Sequence, residues 1–251
     1  MTWTRVKDVV VSLGRTPRLL IAQKLVRRLP FRPVDVGKLC FLRLEGVPAV
    51  PRAMLRGSAD VRFATRDDLD ALVELHRDWT GRRDKRAIFE DRFANGDWCA
   101  VAEVDREIVG YEWFSDKPVH HESAWGFAID IPSGFVYAYD AYIDPAYRNS
   151  GIWLRFKAYL SEWMTARGKS GVLTFVEYGN WPSLRTHLRF GFEPSESVLA
   201  VRVIGWRLFR RMRAIGATTW SYVACLVMNQ APTLLHQSAR ALHVVAAVVR
   251  R

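Results

Sequence analysis

Apolar and polar residues along this chain follow two different periods, and the changes of period predict the secondary structure. Alternation of single residues, typical of strands, marks one set of segments. Apolar residues spaced three and four apart, typical of amphipathic helices, mark another set. The predicted strands are residues 61–65, 98–104, 108–114, 135–143, 171–176, 198–203 and 220–228. The predicted helices of the same region are residues 69–75, 84–93, 152–167 and 180–189.

Helices that alternate with strands predict a layered α/β domain. The strands at 98–104 and 108–114 are predicted to form a hairpin about the turn Asp105-Arg106. Residues 115–133, which contain two prolines and no clear period, are predicted to be a loop.

The first 57 residues depart from this pattern. Thr16-Pro17 is a favourable helix start, and the residues that follow place leucines on one side and basic residues largely elsewhere. Four prolines between residues 30 and 51 then interrupt regular structure. We therefore expect a basic, partly helical N-terminal extension over residues 1–57 and a core over 58–204. A basic C-terminal segment over 205–251 is expected to hold a last strand and an amphipathic helix.

Charge is distributed unevenly along the chain. Residues 1–57 carry a net charge of +9, residues 58–200 carry −6 and residues 201–251 carry +8, within a total of +11. The basic ends favour an anionic partner such as a membrane surface, and the acidic middle favours a cationic ligand. Solvated surface charge explains the asymmetry equally well. No recognition-helix signature accompanies the basic residues, so no nucleic-acid partner is expected.

The number and spacing of the cysteines indicate whether a metal site is expected and which cellular compartment fits the protein. Cys40, Cys99 and Cys225 are widely spaced, no pair has metal-ligand spacing, and an odd number argues against a disulfide framework. No metal site is therefore expected, and a reducing cytoplasm fits this usage best. No signal-peptide pattern and no run of 18 apolar residues is evident, so we expect a cytoplasmic protein. Peripheral contact with the inner face of the membrane stays open.

The most informative run lies between the strand at 135–143 and the helix at 152–167. Pro145 ends the extended pattern, and the turn Arg148-Asn149-Ser150-Gly151 follows before the helix opens at Ile152-Trp153. The start of a helix presents unpaired backbone N–H groups and the positive end of the helix dipole. Such a turn is suited to bind an anion, most often a phosphate.

This run resembles the acyl-CoA pyrophosphate loop of the GNAT acyltransferase superfamily. The family pattern is Arg or Gln, two residues, Gly, one residue, and then Gly or Ala. Arg148 and Gly151 match it, whereas Trp153 stands where a small residue is expected. A second family motif places an Asn eleven positions before a Gly-Phe pair, and Asn180 stands eleven positions before Gly191-Phe192.

The resemblance covers residues 60–204 and implies a GNAT-like fold, with a mixed, mostly antiparallel central sheet flanked by helices. It also implies acetyl-CoA, or another acyl-CoA, as co-substrate. Backbone N–H groups of the turn would bind the pyrophosphate, and the strand backbone before it would pair with the pantetheine arm. The implied cofactor-binding residues are Tyr142, Ile143, Arg148, Asn149, Ser150, Gly151, Ile152, Trp153 and Asn180.

Two of these residues carry open alternatives. Asn180 either hydrogen-bonds to a pantetheine amide or caps its own helix, and it can do both. Trp153 either crowds the usual path of the cofactor or turns into the core and leaves the amides free.

Acyl transfer to an amine needs a polarised thioester carbonyl, a deprotonated amine and a proton for the leaving thiolate. Asp140 is the first candidate for the base, because a carboxylate in an apolar strand is costly unless it is paired or functional. Burial is expected to raise its pKa. Glu112 is the second candidate, although many members of the family use ordered water instead. His187 stands where the family often has a Tyr and is the candidate acid.

The resemblance implies an acetyl-CoA-dependent N-acyltransferase that transfers the acyl group directly to the primary amine of a small molecule. The acidic core fits an amine acceptor. Two alternatives stay open. One is a longer-chain N-acyltransferase at the membrane surface that uses acyl-CoA or acyl carrier protein, and the other is a non-catalytic acyl-CoA-binding module. Whether the protein forms a homodimer is also open.

Overall fold

The computed structural model describes residues 34–55, 57–77, 84–122, 125–203 and 206–213. The predicted helix after Thr16-Pro17, the predicted strand at 220–228 and most of both basic ends lie outside these residues. The chain divides into two compact units. The first unit is Arg43–Thr174, and the second joins residues up to 42 to those from 175 onward.

The described residues form ten strands and four α-helices. The strands are β1 Val34–Glu45, β2 Asp60–Phe63, β3 Trp98–Val104, β4 Glu107–Ser115, β5 Val119–Glu122, β6 Phe127–Asp130, β7 Phe135–Ile143, β8 Gly171–Glu177, β9 Glu193–Val203 and β10 Trp206–Arg213. The helices are α1 Leu69–Glu74, α2 Lys85–Ala94, α3 Ile152–Ala166 and α4 Trp181–Phe190. The strands β1 and β8 each pass from one unit to the other.

The sheet of the first unit has the strand order β8-β7-β4-β3-β2. Neighbours from β2 to β7 pair antiparallel, and β7 pairs parallel with β8. The turn between β3 and β4 falls at Asp105 and Arg106, which both have positive φ angles. The predicted α/β class, a mixed and mostly antiparallel sheet with helices packed on it, is confirmed.

Strand β4 lies at the centre of the first unit and is buried on both faces. Successive side chains of a strand point to opposite faces. Tyr111 and Trp113 contact Phe89 of α2, with ring centroids 5.4 and 5.8 Å apart. Glu112 and Phe114 point the other way, where both meet Lys157 of α3. Helices of the α1–α2 pair and helix α3 therefore cover opposite faces of this strand.

In the second unit the strand order is β10-β9-β1-β8. Strand β1 was not predicted, because prolines flank residues 34–45 and two basic residues interrupt their apolar pattern. The structure places Lys38 over the ring of Tyr178, with Nζ 5.2 Å from the ring centroid. The Tyr178 N–H donates to the carbonyl oxygen of Lys38 at 2.7 Å. The part of the expected extension at residues 34–45 is thus a sheet strand.

The expectation of a loop over residues 115–133 is wrong, because β5 and β6 pair there as an antiparallel hairpin. Its alternation is inverted: Val119 is exposed, whereas His120 and Glu122 are buried. The His120 ring packs 4.8 Å from the Tyr137 ring and 4.4 Å from the Tyr139 ring. A strand that buries its polar residues does not show the apolar alternation on which the prediction rested.

Candidate functional site

Strand β7 carries a β-bulge where it pairs with β4. Tyr111 pairs with Tyr142 and Trp113 pairs with Tyr139, so three steps along β7 oppose two steps along β4. The extra residue lies at Asp140, whose φ of 44° is in the left-handed region that aspartate tolerates better than most residues. The bulge turns β7 at the middle of the sheet.

The other edge of β7 is only partly paired. The parallel ladder with β8 joins Phe135 to Gly171, Val136 to Val172 and Tyr137 to Leu173. Among the described residues, no register partner on β8 follows for residues 138–143 of β7. A strand edge without a register partner can pair with an extended ligand, as it would with another strand.

The turn after β7 has the form that the motif predicts. The Asp144 carboxylate accepts the N–H of Ala146 at 2.8 Å and opens a short 3-10 helix, Pro145–Tyr147. Asn149 and Gly151 then adopt positive φ angles of 66° and 89°. Gly151 is the N-cap of α3 and provides no side-chain cap. The N-terminus of α3, the positive end of the helix dipole, therefore opens directly after this turn, an arrangement that suits an anion.

Two arginines flank this turn. Arg148 is exposed, and its Nε donates to the carbonyl oxygen of Ile143 at 3.2 Å. Arg155, one turn into α3, donates to the carbonyl oxygen of Gly57. Ser150 Oγ donates to the carbonyl oxygen of Tyr147 at 2.6 Å. Arg148 therefore keeps a positive charge at the turn, whereas Arg155 and Ser150 hold the local chain.

Trp153 packs beside a buried charge. The Lys157 ammonium lies 5.0 Å from the centroid of the Trp153 ring, which is one helical turn earlier on the same side of α3. Lys157 is fully buried and forms an ion pair with Glu112, which is 2% exposed. Of the two expected positions for Trp153, this packing matches the one directed toward the core. The burial and pairing of Glu112 give no support to its candidacy as a base.

Asp140 lies in an ion cluster on the opposite face of β4 from Glu112. Its carboxylate binds Arg92 and lies 3.5 Å from Lys85 Nζ. Burial alone raises the pKa of Asp140, but the charges of Arg92 and Lys85 outweigh burial and hold this pKa below its usual value. The expectation of a raised pKa is therefore wrong. A carboxylate with a lowered pKa is a weak base, so the pairing favours a structural role.

His76, which follows α1, joins the same cluster. Its Nε2 lies 2.7 Å from the Tyr111 hydroxyl, which also accepts a hydrogen bond from Lys85 Nζ at 3.3 Å. Its ring packs 4.5 Å from the ring of Tyr142. Burial lowers the pKa of His76 to about 4, and the charge of Lys85 adds to this effect. The imidazole is therefore neutral at neutral pH.

Sequence reasoning missed His76, Lys85 and Arg92. A signal was present, because an aspartate in an apolar strand requires a partner. Lys85 and Arg92 are seven positions apart, so they share the helix face that also carries the buried Phe89. Nothing in the sequence connects that face to Asp140, 48 residues beyond Arg92.

An open cleft of about 1010 Å³ lies beside this cluster. His76 and Tyr142 form one part of its wall, and residues 144–147, which precede the turn at 148–151, form another. The ionised wall residues are five carboxylates and three guanidinium groups. The carboxylates are Asp68, Glu74, Glu103, Glu107 and Asp144, and the guanidinium groups are Arg62, Arg77 and Arg106. Arg62 is committed to Asp68 and Glu103. The wall as a whole is acidic.

The second unit holds the two remaining candidate residues. Asn180 caps α4, because its side-chain oxygen accepts the N–H of Ser183 at 3.4 Å. His187 is 8% exposed and packs edge-on against Phe192. Its Nδ1 lies 2.8 Å from the carbonyl oxygen of Ser183, which can only accept, so Nδ1 carries the proton. A neutral His187 therefore has an acceptor at Nε2, and an acid role would require the protonated ring.

Among the described residues, no group of three or more His, Cys, Asp and Glu side chains is placed to hold a metal ion. That the reaction needs no metal stays a prediction. None of the helices in the described part of the chain is long and apolar enough to cross a membrane.

The fold and the turn agree with a known family. The model of the acetyltransferase (GNAT) family matches residues 66–192, which is half of the chain. The chain belongs to the acetyltransferase (GNAT) family. It is thus an N-acetyltransferase, and the co-substrate of its class is a CoA thioester. No curated protein sequence matches the chain significantly.

Solved structures give weaker likenesses. A functionally unknown conserved protein from Staphylococcus epidermidis ATCC 12228 has 11% identity and a TM-score of 0.48, over 73% of this chain and 67% of that one. AAC(6')-Iy in complex with a CoA-containing bisubstrate analog has 20% identity and a TM-score of 0.44, over 55% and 92%. Ribosomal-protein-alanine N-acetyltransferase from Brucella melitensis has 23% identity and a TM-score of 0.41, over 55% and 85%.

Proposed function

We propose that the protein transfers the acetyl group of acetyl-CoA directly to the primary amine of a small molecule. The observation that carries this proposal is the arrangement at the end of β7. The part of its edge that has no register partner leads into a turn that carries the charge of Arg148 and ends at the N-terminus of α3, the positive end of the helix dipole. An extended arm that ends in a pyrophosphate matches this arrangement, because the strand edge suits the amides of the arm and the turn suits the anion.

The donor half of the site is assigned to residues 142–143 and 148–153. The backbone of Tyr142 and Ile143 would pair with the pantetheine arm. The N–H groups from Gly151 to Trp153 would bind the pyrophosphate, with Arg148 adding charge. The packing of the Trp153 ring beside the buried Lys157 supports this assignment. Asn180 is assigned a contact with the pantetheine arm on family resemblance alone, beside the cap that it forms.

The acceptor half is assigned to the cleft beside His76 and Tyr142. Its acidic wall favours a molecule that carries positive charge in solution, as primary amines do at neutral pH. The amine and acetyl-CoA together account for every bond and proton in the reaction. The amine nitrogen attacks the thioester carbonyl carbon, the carbon–sulfur bond breaks, and the CoA thiolate takes the proton that the nitrogen loses. His187 stays the candidate for delivering that proton, in its protonated form.

Calorimetric titration with acetyl-CoA tests the donor site. We expect micromolar binding by the unmodified protein, and a loss of at least about tenfold in Arg148→Glu, because a repulsive charge then faces the pyrophosphate. The matched control is Arg86→Glu, which reverses an arginine on the exposed side of α2 that is paired with Asp70. The control should bind as the unmodified protein does.

The same experiment separates the alternatives. Equal loss in both variants would show a general effect of charge and would contradict the assignment to the turn. Binding of acetyl-CoA without turnover of any amine would favour a non-catalytic binding module. Binding of palmitoyl-CoA or acyl carrier protein in preference to acetyl-CoA would favour the longer-chain enzyme. No binding of any donor would refute the proposed function.

A further inference from the structure

The chain that leads into β2 contacts the turn at 148–151 from one side. Gly57 has a φ of 78°, in the left-handed region that glycine adopts without strain. A Cβ atom at Gly57 would lie 3.3 Å from the carbonyl oxygen of Ser150, and no other described atom outside residues 56–58 would lie within 4 Å of it. The carbonyl carbon of Ser150 is thus farther away than its oxygen. The C=O bond of Ser150 is therefore directed at the space that Gly57 leaves empty.

This contact sets the direction of a backbone N–H group. A trans peptide bond holds its C=O and N–H in one plane and pointing opposite ways, and the described chain has no cis peptide bond. The N–H of Gly151 belongs to the same peptide as the C=O of Ser150, so it points away from Gly57. This N–H is one of those assigned above to the pyrophosphate.

Arg155 holds Gly57 beside the turn. Its guanidinium donates to the carbonyl oxygen of Gly57, which lies 98 positions earlier in the chain. Trp153 and Lys157, which pack together, lie on the opposite side of α3 from Arg155, because each residue turns the helix by about 100°. The start of α3 is therefore held on one side toward β4 and on the other side toward the segment that precedes β2.

The segment that carries Gly57 is itself anchored to the domain. Ala59, two residues later, is 3% exposed, and β2 begins directly after it. Phe63 of β2 packs on Tyr159 and Trp163 of α3, with ring centroids 5.0 and 6.1 Å apart. Packing between β2 and α3 therefore fixes the place of Gly57 relative to the start of the helix.

We propose that Gly57 and Arg155 are positioning residues for the donor, acetyl-CoA. They hold the peptide between Ser150 and Gly151 so that the Gly151 N–H faces the pyrophosphate before the donor binds. This inference rests on the proposed function and adds to it the part of the chain that orients the turn. Neither residue needs to touch the donor. A turn that is already oriented has less freedom to lose on binding, so the affinity for the donor rises.

Calorimetric titration of matched glycine variants tests the inference. Gly57→Ala places a methyl group against the Ser150 carbonyl, and we expect the affinity for acetyl-CoA to fall about tenfold, the effect of losing one hydrogen bond to a charged group. Gly96→Ala is the matched control, because Gly96 has a similar φ of 73° and no described atom within 4 Å of an added Cβ. The control carries the same kind of backbone strain and should bind acetyl-CoA as the unmodified protein does.

Thermal unfolding shows whether each variant is folded. Should Gly57→Ala fail to fold, Gly57→Asn takes its place, because asparagine tolerates the left-handed region better than alanine does. The Cβ of the asparagine still meets the Ser150 carbonyl, so the same loss of affinity is expected. Gly96→Asn is then the control.

A double variant separates positioning by Arg155 from direct contact with the donor. Arg155→Met alone should weaken acetyl-CoA binding about fivefold, because the segment at Gly57 is released. If Arg155 acts through Gly57, the double variant Gly57→Ala with Arg155→Met should lose no more affinity than the weaker-binding single variant. Losses that multiply would mean that Arg155 binds the donor itself, and they would overturn its positioning role.

A comparison of two donor analogues locates the effect on the donor. 3′-Dephospho-CoA keeps the pyrophosphate of CoA and lacks the 3′-phosphate, so Gly57→Ala should weaken the binding of both by the same factor. A loss confined to CoA overturns the inference, as does an unchanged affinity in Gly57→Ala or an equal loss in Gly96→Ala. Failure of the unmodified protein to bind acetyl-CoA refutes the proposed function itself, on which the inference rests.

Discussion

Two ion clusters lie on opposite faces of strand β4, and they differ in how water reaches them. On the α3 face, Lys157 and Glu112 are paired with side chains 0% and 3% exposed. On the α1–α2 face, Asp140 is paired with two cations, and its side chain is 31% exposed. The first cluster is sealed, whereas the second borders the cleft through His76. Glu112 and its neighbour Tyr111 on β4 therefore contribute to a closed structural pair and to an open cluster, respectively.

The difference shows why burial of a charge does not by itself indicate catalysis. Glu112 is more buried than Asp140, yet one carboxylate meets one ammonium there and no described cavity reaches it. In the open cluster two cations pair with the Asp140 carboxylate, and the cluster borders a cleft that can hold a ligand. A border with a cavity, more than burial, distinguishes the candidate site.

The largest expected effect is on the sealed pair. Lys157→Met would leave the Glu112 carboxylate buried without its cation, and we expect the free energy of unfolding to fall by about 3–5 kcal/mol. Denaturant unfolding monitored by circular dichroism measures this loss. The double variant Lys157→Met with Glu112→Leu should recover most of the stability, because no unpaired charge remains. A single variant that loses less than about 1 kcal/mol would mean that water reaches the pair.

Asp140→Asn should lower the free energy of unfolding by less than Lys157→Met does. The asparagine tolerates the left-handed backbone of the bulge, and water can reach the side chain at position 140, which is 31% exposed. We expect a loss of about 1–2 kcal/mol in the free energy of unfolding. Asp140→Ala is the comparison that adds backbone strain, with a further cost of about 1 kcal/mol. Equal losses for Asp140→Asn and Lys157→Met would remove the distinction between the clusters.

Acid should reveal a related contrast between two histidines. Burial lowers the pKa of His120, which is sealed beneath its hairpin, to about 4, and His76 on the cleft has a similar value. Between pH 6.5 and pH 4 the unfolded chain binds more protons than the folded one, so stability falls as pH falls through this window. The stability that depends on these two histidines being neutral is fully present above about pH 6.5.

The contribution of His120 should be on the order of 2 kcal/mol, because its surroundings exclude water. Measured from pH 7 to pH 4.5, His120→Phe should flatten the dependence of unfolding free energy on pH more than His76→Phe does. Identical slopes in the two variants would show that the cleft excludes water as well as the hairpin does.

The smallest expected effect is at the rim of the cleft. Glu74 and Arg77 form an exposed pair three residues apart on the α1 side, with an oxygen–nitrogen distance of 3.3 Å. Glu74→Gln should change the unfolding free energy by less than about 0.5 kcal/mol. A larger change in thermal unfolding would show that the rim is less solvated than its exposure indicates.

Local pattern predicted much of this protein. The hairpin about Asp105-Arg106, the amphipathic α3 and the turn from Arg148 to Gly151 all appear where the sequence places them. Each is set by residues close to one another in the chain, through side-chain period, proline and glycine geometry, or capping. The turn before α3 was predicted for this reason, since a turn and the helix after it are one continuous segment.

The predictions from the sequence that proved wrong have a common cause, which is packing between segments far apart in the chain. Strand β1 holds Lys38 over an aromatic ring, and strand β5 buries His120 and Glu122, so neither shows the apolar pattern of a strand. The pKa of Asp140 was predicted in the wrong direction because its partners lie about fifty residues earlier in the chain. The sequence by itself determined the class of fold and the form of the turn at which we propose that a phosphate binds, because neighbouring residues produce both. The tertiary structure alone decided which charges are paired, sealed or exposed to a cleft, because the free energy of a charge depends on every group that surrounds it.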